Sequence, residues 1–334
     1  MDFSSRPVLT PRLHERERQS PEQLALIRQL LAASGLSFAD AMFLATQLVH
    51  HGFFEAEAVL STLLREVPQA SARHYFSRLH KRHAVIQSLP ALKTVFADKP
   101  RMAALYDPAK SVFFVPGSFR ADTAVVVFTT INNNFGFSNA VLDAVLEHMG
   151  VSRLYLRDTT RFVYFRGVDT LCDSLLDLPG SVASLLAAKG VRNIVVTGFS
   201  SGGFPALYTA AVLEASACLA FSGYTDISLG SAIPQPRMHS NIYDEIDISM
   251  RVNTRDVIAS ARVAPGAFRL FYGLDHPIDR AHAEQLADLS QVRLVGLNDC
   301  GHYATPTLME RGEFVAAFAN ALAAVPNSAE ARND

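Results

Sequence analysis

The chain has 334 residues, of which 49% are apolar and 19% are charged. This apolar share can fill a sizeable core, which excludes a mainly disordered protein. The 30 Lys and Arg residues against 32 Asp and Glu give a net charge of -2. There is no basic excess to neutralise phosphates, so we expect no nucleic-acid partner. The length fits two domains or one large α/β domain.

The cysteine usage and the N-terminus both bear on the compartment. Cys172, Cys218 and Cys300 are too few and too scattered for a disulfide framework or a metal cluster, so we expect a reducing environment and no metal. Residues 1–20 are polar and lack the apolar stretch of a secretory signal. No apolar run approaches the roughly 20 residues that span a bilayer. These features predict a cytoplasmic protein with no membrane span.

The N-terminal part is predicted to be helical. Residues 1–20 are charged and are expected to form a flexible arm. Residues 21–100 carry apolar side chains at spacings of three and four, which predicts an all-helical subdomain. The stretch LATQLVHHGFFEAEAVLSTLLREVP weakly resembles one tetratricopeptide-type helix pair, through Gly52, Phe54, Ala58 and Pro68. Because stable arrays need about three repeats, an ordinary helical subdomain is favoured over a surface for a protein partner.

The pattern changes near residue 110, where short β-branched runs alternate with helical segments. Strand, helix, strand in this order predicts an α/β fold with a doubly wound, mainly parallel sheet. We expect this domain to span 105–326, with an insertion at 228–257 and a tail at 327–334. The predicted strands are 112–115, 124–130, 153–157, 193–197, 218–221, 268–272 and 292–296. The predicted helices are 139–148, 171–188, 202–213, 279–289 and 307–323.

The strongest local motif is NIVVTGFSSGGFPALYTAAVL, in which a strand runs into Gly-Phe-Ser-Ser-Gly and then a helix. This is the G-x-S-x-G pattern in the setting that a nucleophile elbow requires. The turn is so tight that a Cβ two residues before or after Ser200 would clash. A glycine-rich turn that merely packs or holds phosphate is the alternative, but neither a dinucleotide fingerprint nor a P-loop is present.

A serine nucleophile needs a base, and the base needs an acid. His302 follows the strand that ends at residue 296, which places it at the same sheet edge as Ser200. Asp275 lies just after the strand 268–272 and is preferred as the acid. Asp279 is the alternative, with a helix-capping role as its structural explanation, and Asp299 is a weaker third choice.

The order Ser200, Asp275, His302 and the strand positions resemble the α/β-hydrolase superfamily. The runs LYLRDTTRFVYFRG, GFSSGGFPAL and LAFSGYTDI resemble a poorly characterised bacterial hydrolase-like group within it. The resemblance covers about two thirds of the chain and implies an oxyanion hole, with the Ser201 amide as first donor. The second donor is expected at Thr130 or Ile131, where many members carry a His-Gly pair.

Three further residues are candidates for substrate binding. Asn132 lies in an asparagine run that is equally well explained as a solvated turn. Arg157, at a strand end, is a candidate for binding an anionic group, but an ion pair with Asp158 is slightly favoured. Phe199, inside the serine motif, is the third candidate.

These residues predict a serine hydrolase that acts on an ester, thioester or amide of a small-molecule acyl substrate, without a cofactor. An acyltransferase with the same three residues is the first alternative. A non-catalytic binding or scaffold protein, holding a partner through its N-terminal helices, is the second.

Overall fold

The computed structural model describes residues 38–66, 70–228, 230–233 and 245–325. The predicted arm at 1–20, the start of the helical subdomain at 21–37 and the tail at 327–334 lie outside the described residues. Pro68, in the N-terminal region, also lies outside them. The same is true of residues 229 and 234–244 in the predicted insertion.

A seven-stranded sheet organises the chain, with the strand order β1-β3-β2-β4-β5-β6-β7. Every neighbouring pair is parallel except β1 and β3. The predicted fold class, a doubly wound and mainly parallel sheet, is therefore confirmed. The strands are β1 Val112–Val115, β2 Arg120–Phe128, β3 Val151–Leu156, β4 Asn193–Phe199, β5 Ala217–Phe221, β6 Phe268–Gly273 and β7 Val292–Leu297.

The central strands are apolar because both of their faces are buried. Residues 124–128 of β2 have no exposed surface. In the register, Phe128 of β2 lies beside Gly198 of β4, and Gly273 of β6 lies beside Leu297 of β7. The loops that follow these parallel strands thus leave the sheet at one edge.

Helices cover both faces of the sheet. They are α6 Asn139–His148, α7 Leu178–Ala188, α8 Gly203–Val212, α9 Thr254–Ser260, α10 Pro277–Glu284, α11 Ala304–Glu310 and α12 Phe314–Ala323, after the five N-terminal helices given below. The helix predicted from residue 171 begins only at Leu178, because Pro179 fits the first turn and not the interior. The helix predicted at 307–323 is two helices, separated at Gly312, whose φ is +73°.

The N-terminal helices are α1 Phe38–His51, α2 Ala56–Glu66, α3 Ala70–Gln87, α4 Leu92–Ala97 and α5 Lys99–Tyr106. They confirm the helical prediction for the described part of this region. Leu48 and Phe76 are fully buried and belong to the same apolar cluster as Val125 and Phe221 of the sheet. The helices and the sheet therefore bury one common core.

Contacts between polar groups also join the two regions. The backbone N–H of Ser138 donates to the carbonyl of His50 at 2.8 Å, and Nε of Arg78 donates to Glu310 of α11 at 2.8 Å. These contacts hold α1 and α3 over the sheet edge described below. Within the described ranges, no helix has the length and apolar character that crossing a membrane demands.

Candidate active site

Ser200 stands at a strained turn between β4 and α8. A short 3-10 turn, Ser200–Gly202, follows the strand directly. Ser200 has a φ of +53°, a conformation that non-glycine residues rarely adopt and that marks a functional constraint. A Cβ on Gly198 would lie 2.1 Å from the carbonyl oxygen of Gly202, so only glycine fits there. The sequence motif and this backbone together present the Ser200 hydroxyl at the sheet edge.

His302 lies in the loop between β7 and α11 and reaches the serine. Its Nε2 is 2.7 Å from Oγ of Ser200. The imidazole packs against the Phe199 ring, with 5.7 Å between the ring centroids. The structure thus brings together the two residues that the sequence proposed as nucleophile and base.

The carboxylate beside His302 belongs to Asp279. Both of its oxygens lie 3.0 Å from Nδ1 of His302, and its side chain is 1% exposed. The preference for Asp275 is wrong, because Asp275 is exposed in the turn after β6 and makes no hydrogen bond with His302 in the described structure. Side chains in a helix point back toward its N-terminus, so Asp279 in the first turn of α10 is directed at the sheet edge.

His276 is a further neighbour of Asp279, and the sequence analysis did not propose it as a site residue. It is the N-cap of α10, and its Nδ1 accepts the backbone N–H of Asp279 at 3.2 Å. The same nitrogen lies 2.8 Å from Oδ1 of Asp279. His276 therefore takes the capping position and also lies against the Asp279 carboxylate that faces His302.

These three side chains are also a potential metal-ligand set. One donor atom each from His276, Asp279 and His302 lies within 4.8 Å of the others. The Asp279 oxygens and Nδ1 of His302 are, however, already paired with each other. A metal ion here would have to separate the imidazole from its carboxylate.

The candidate oxyanion donors differ in availability. The backbone N–H of Thr130 donates to the carbonyl of Asn134 at 2.9 Å, so the assignment of this amide as a donor is wrong. The N–H of Ile131 donates to Oγ of Ser201 at 3.0 Å. Ser201 is 2% exposed and follows Ser200 directly. The Ile131 amide is thus also occupied, but its acceptor is a side chain beside Ser200 and not the backbone of its own loop.

A cavity of about 1050 Å³ opens onto these groups. Of the proposed substrate-binding residues, Asn132 and Phe199 line it. Part of its wall comes from the N-terminal helices, which the sequence analysis left without a place in the site. On α3 the lining residues are Tyr75, Arg78, Leu79 and Arg82. Their spacing of three, four and seven puts them on one helical face, a signal that was readable in the sequence.

Arg157 does not line this cavity, and its proposed role in substrate binding is not supported by its contacts. It is 2% exposed, and burial lowers the pKa of its guanidinium to about 10. The ion pair with Asp158 is not formed either, because Asp158 accepts the backbone N–H groups of Thr160 and Tyr164. The guanidinium donates to the backbone carbonyls of Ala104, Leu105, Asp107 and Lys110. Arg157 thus fixes the end of α5 against β3.

The comparisons with known proteins concern the fold. No protein-family model and no curated protein matches the sequence. Similar solved structures include a carboxylesterase of the thaumarchaeon Nitrososphaera gargenis, 13% identical, with a TM-score of 0.43, covering 65% of this chain and 96% of that chain. MenH from S. aureus is 12% identical, with a TM-score of 0.44, covering 64% of this chain and 97% of that chain. The α/β hydrolase MGS-MChE2 from a lagoon sediment metagenome is 16% identical, with a TM-score of 0.43, covering 63% of this chain and 93% of that chain.

The chain's own features give it an α/β-hydrolase fold. Its sheet is mainly parallel, and the strand–turn–helix around Ser200 follows the central strand β4. His302 and a carboxylate that precedes it in the chain follow later strands, in the order of that fold. Substrate and mechanism rest on the residues of this chain.

Proposed function

We propose that the chain is a serine hydrolase that cleaves an ester, thioester or amide through an acyl-enzyme. The observation that carries the proposal is the unbroken hydrogen-bonded series from Ser200 through His302 to Asp279, at the mouth of a large cavity. A hydroxyl, a base and a buried orienting carboxylate in this arrangement are what acyl transfer to serine requires.

In the first step Oγ of Ser200 attacks the substrate carbonyl and His302 accepts its proton at Nε2. Asp279 keeps the neutral imidazole in the tautomer whose Nε2 is unprotonated, and then stabilises the imidazolium that forms. His302 returns the proton to the leaving group. Water attacks the acyl-enzyme in the second step, with His302 again as the base, and Ser200 is regenerated.

The tetrahedral intermediate needs donors for its oxyanion. The Ser201 N–H is the first, since the leading amides of a helical turn have no partner within it. The Ser201 hydroxyl is the second in this proposal. Because it already accepts the Ile131 N–H, its own proton is directed to another acceptor. The Ile131 amide thus acts on the oxyanion through this hydroxyl.

The test is covalent labelling with a fluorophosphonate, combined with hydrolysis of a panel of p-nitrophenyl esters. We expect labelling at Ser200, and loss of both labelling and hydrolysis in Ser200→Ala. Ser184→Ala, at an exposed position of α7, is the matched control and should label as the wild type does. Full esterase activity in Ser200→Ala would overturn the proposal.

The acyltransferase alternative uses the same residues and differs in the acceptor, an alcohol or amine in place of water. Product analysis with such acceptors separates the two, and formation of free acid alone would favour hydrolysis. The scaffold alternative is disfavoured by the intact geometry around Ser200. A protein partner for the N-terminal helices and a cytoplasmic location stay predictions of the sequence.

A further inference from the structure

Two arginines of α3 line the cavity that contains Ser200. Arg78 and Arg82 are one helical turn apart and both contribute to its wall. The wall also includes residues of the elbow, of the loop after β2 and of the loop that carries His302. Cationic groups from the N-terminal helices thus share one cavity with the proposed nucleophile.

Arg78 and Arg82 share one carboxylate, that of Glu310. Nε of Arg78 donates to both oxygens of Glu310, at 2.8 and 3.1 Å. The nearest approach of Arg82 to this carboxylate is 3.7 Å, from a terminal nitrogen. Nε of Arg82 is buried and has no hydrogen-bond partner among the described residues. A largely buried guanidinium normally has its donors satisfied, so the Nε–H of Arg82 lacks an acceptor although the group pairs with Glu310.

The other ionisable groups near this wall do not supply that acceptor. Burial and, to a smaller extent, the positive charge of Arg82 lower the pKa of His50 to about 4. A backbone hydrogen bond with Gly136 acts in the opposite direction. His50 is therefore neutral at pH 7, and it is not a hydrogen-bond partner of Nε of Arg82. The Tyr75 hydroxyl is paired with Oγ1 of Thr46 at 3.0 Å. The acidic side chain in the cavity lining is Asp299, in the loop that carries His302, and it is not a hydrogen-bond partner of Nε of Arg82.

We propose that Arg82, together with Arg78, binds an anionic group of the acyl substrate, a carboxylate or a phosphate, at the α3 wall of the cavity. The inference rests on the proposed hydrolase function and names its substrate class: an ester or thioester with a negative charge remote from the reacting carbonyl. A guanidinium presents its donors as a planar fork that matches carboxylate and phosphate oxygens. Such a group would give Nε of Arg82 the acceptor it lacks.

The experiment compares matched pairs of substrates. One pair is the p-nitrophenyl monoester of glutaric acid and its methyl ester, which is neutral. The other pair is the butyryl thioesters of phosphopantetheine and of pantetheine. We expect kcat/KM for the charged member of at least one pair to exceed that of its neutral partner by about tenfold, the effect of one charge-assisted hydrogen bond. The pair that shows the preference identifies carboxylate or phosphate.

Variants then assign the preference to the arginines. Arg82→Gln should bring the charged-to-neutral ratio close to unity, because it lowers kcat/KM for the charged substrate far more than for the neutral one. Arg192→Gln is the control, because Arg192 is exposed and pairs with Asp122 at the other edge of the sheet. Glu310→Gln removes the competing carboxylate and should increase the ratio, which provides a test of opposite sign if Arg82→Gln folds poorly.

The outcomes separate this inference from the proposed function. Hydrolysis of both members of each pair at equal rates, or a preference that persists in Arg82→Gln, would refute the anion site and leave the hydrolase in place. If no ester is cleaved and no probe labels Ser200, the site is tested by binding alone. Glutarate or inorganic phosphate should then raise the melting temperature of the wild type but not of Arg82→Gln, and equal shifts in the two proteins would refute it.

Discussion

The choice between two aspartates four residues apart can be tested directly. Replacing Asp279 with Asn removes the charge beside His302 and leaves the side-chain volume almost unchanged. The same replacement at Asp275 is the matched control, because Asp275 is exposed and makes no hydrogen bond with the imidazole in the described structure. The structure predicts a large loss of activity for the first variant and almost none for the second.

The magnitude follows from the geometry. The Asp279 oxygens are 3.0 Å from Nδ1 of His302, which puts the centres of the two charges about 4 Å apart. At an effective dielectric constant of about 20, this pair is worth about 4 kcal/mol once the imidazolium forms. That free energy corresponds to about a 10³-fold decrease in kcat. An Asn amide that donates to Nδ1 would add to the loss, since it favours the tautomer whose Nε2 cannot accept the serine proton.

The assay is steady-state hydrolysis of the best p-nitrophenyl ester, supported by the rate of fluorophosphonate labelling of Ser200. Far-ultraviolet circular dichroism and thermal unfolding would verify that Asp279→Asn is folded, because Asp279 also lies in the first turn of α10. If Asp279→Asn kept activity within about tenfold of the wild type, or if Asp275→Asn were the impaired variant, the assigned role of Asp279 would be refuted.

Three further predictions concern the oxyanion hole, the elbow and a buried histidine. Ser201→Ala should lower kcat about 10²-fold with little change in KM, whereas a faster variant would mean that the hydroxyl obstructs the hole. Gly198→Ala should lower the free energy of unfolding in urea by about 3 kcal/mol, because its Cβ meets backbone. Gly180→Ala, at a helical position with open space, should raise it by about 0.5 kcal/mol, and equal effects would contradict the steric reading. Burial lowers the pKa of His282 from 6.5 to about 4, against the opposing charges of Asp279 and Asp226. The unfolded chain therefore binds more protons between these values, so stability falls as the pH drops from 6.5 to 4, by about 3 kcal/mol from this residue. Urea unfolding of His282→Gln should show a weaker pH dependence, and an unchanged slope would contradict the assignment.

The helical region shows where patterns along the chain lose predictive power. Apolar spacing identified α1 to α3 because each helix buries one face, and that face repeats every three or four residues. The polar stripe of α3 carries an equally regular signal in Arg78 and Arg82. A polar stripe normally faces solvent, and only the placement of α3 over the sheet edge makes it a cavity wall.

The sequence by itself determined the seven strands, the elbow at Ser200 and the choice of His302, because each depends on local order: apolar runs, glycines at fixed offsets, and position after a strand. Only the tertiary structure decided that Asp279 and not Asp275 faces His302, and that Ile131 and not Thr130 contacts Ser201. These choices depend on the direction in which side chains leave a helical turn or a loop, and on contacts between segments far apart in the chain. The spacing of residues along a sequence does not contain that information.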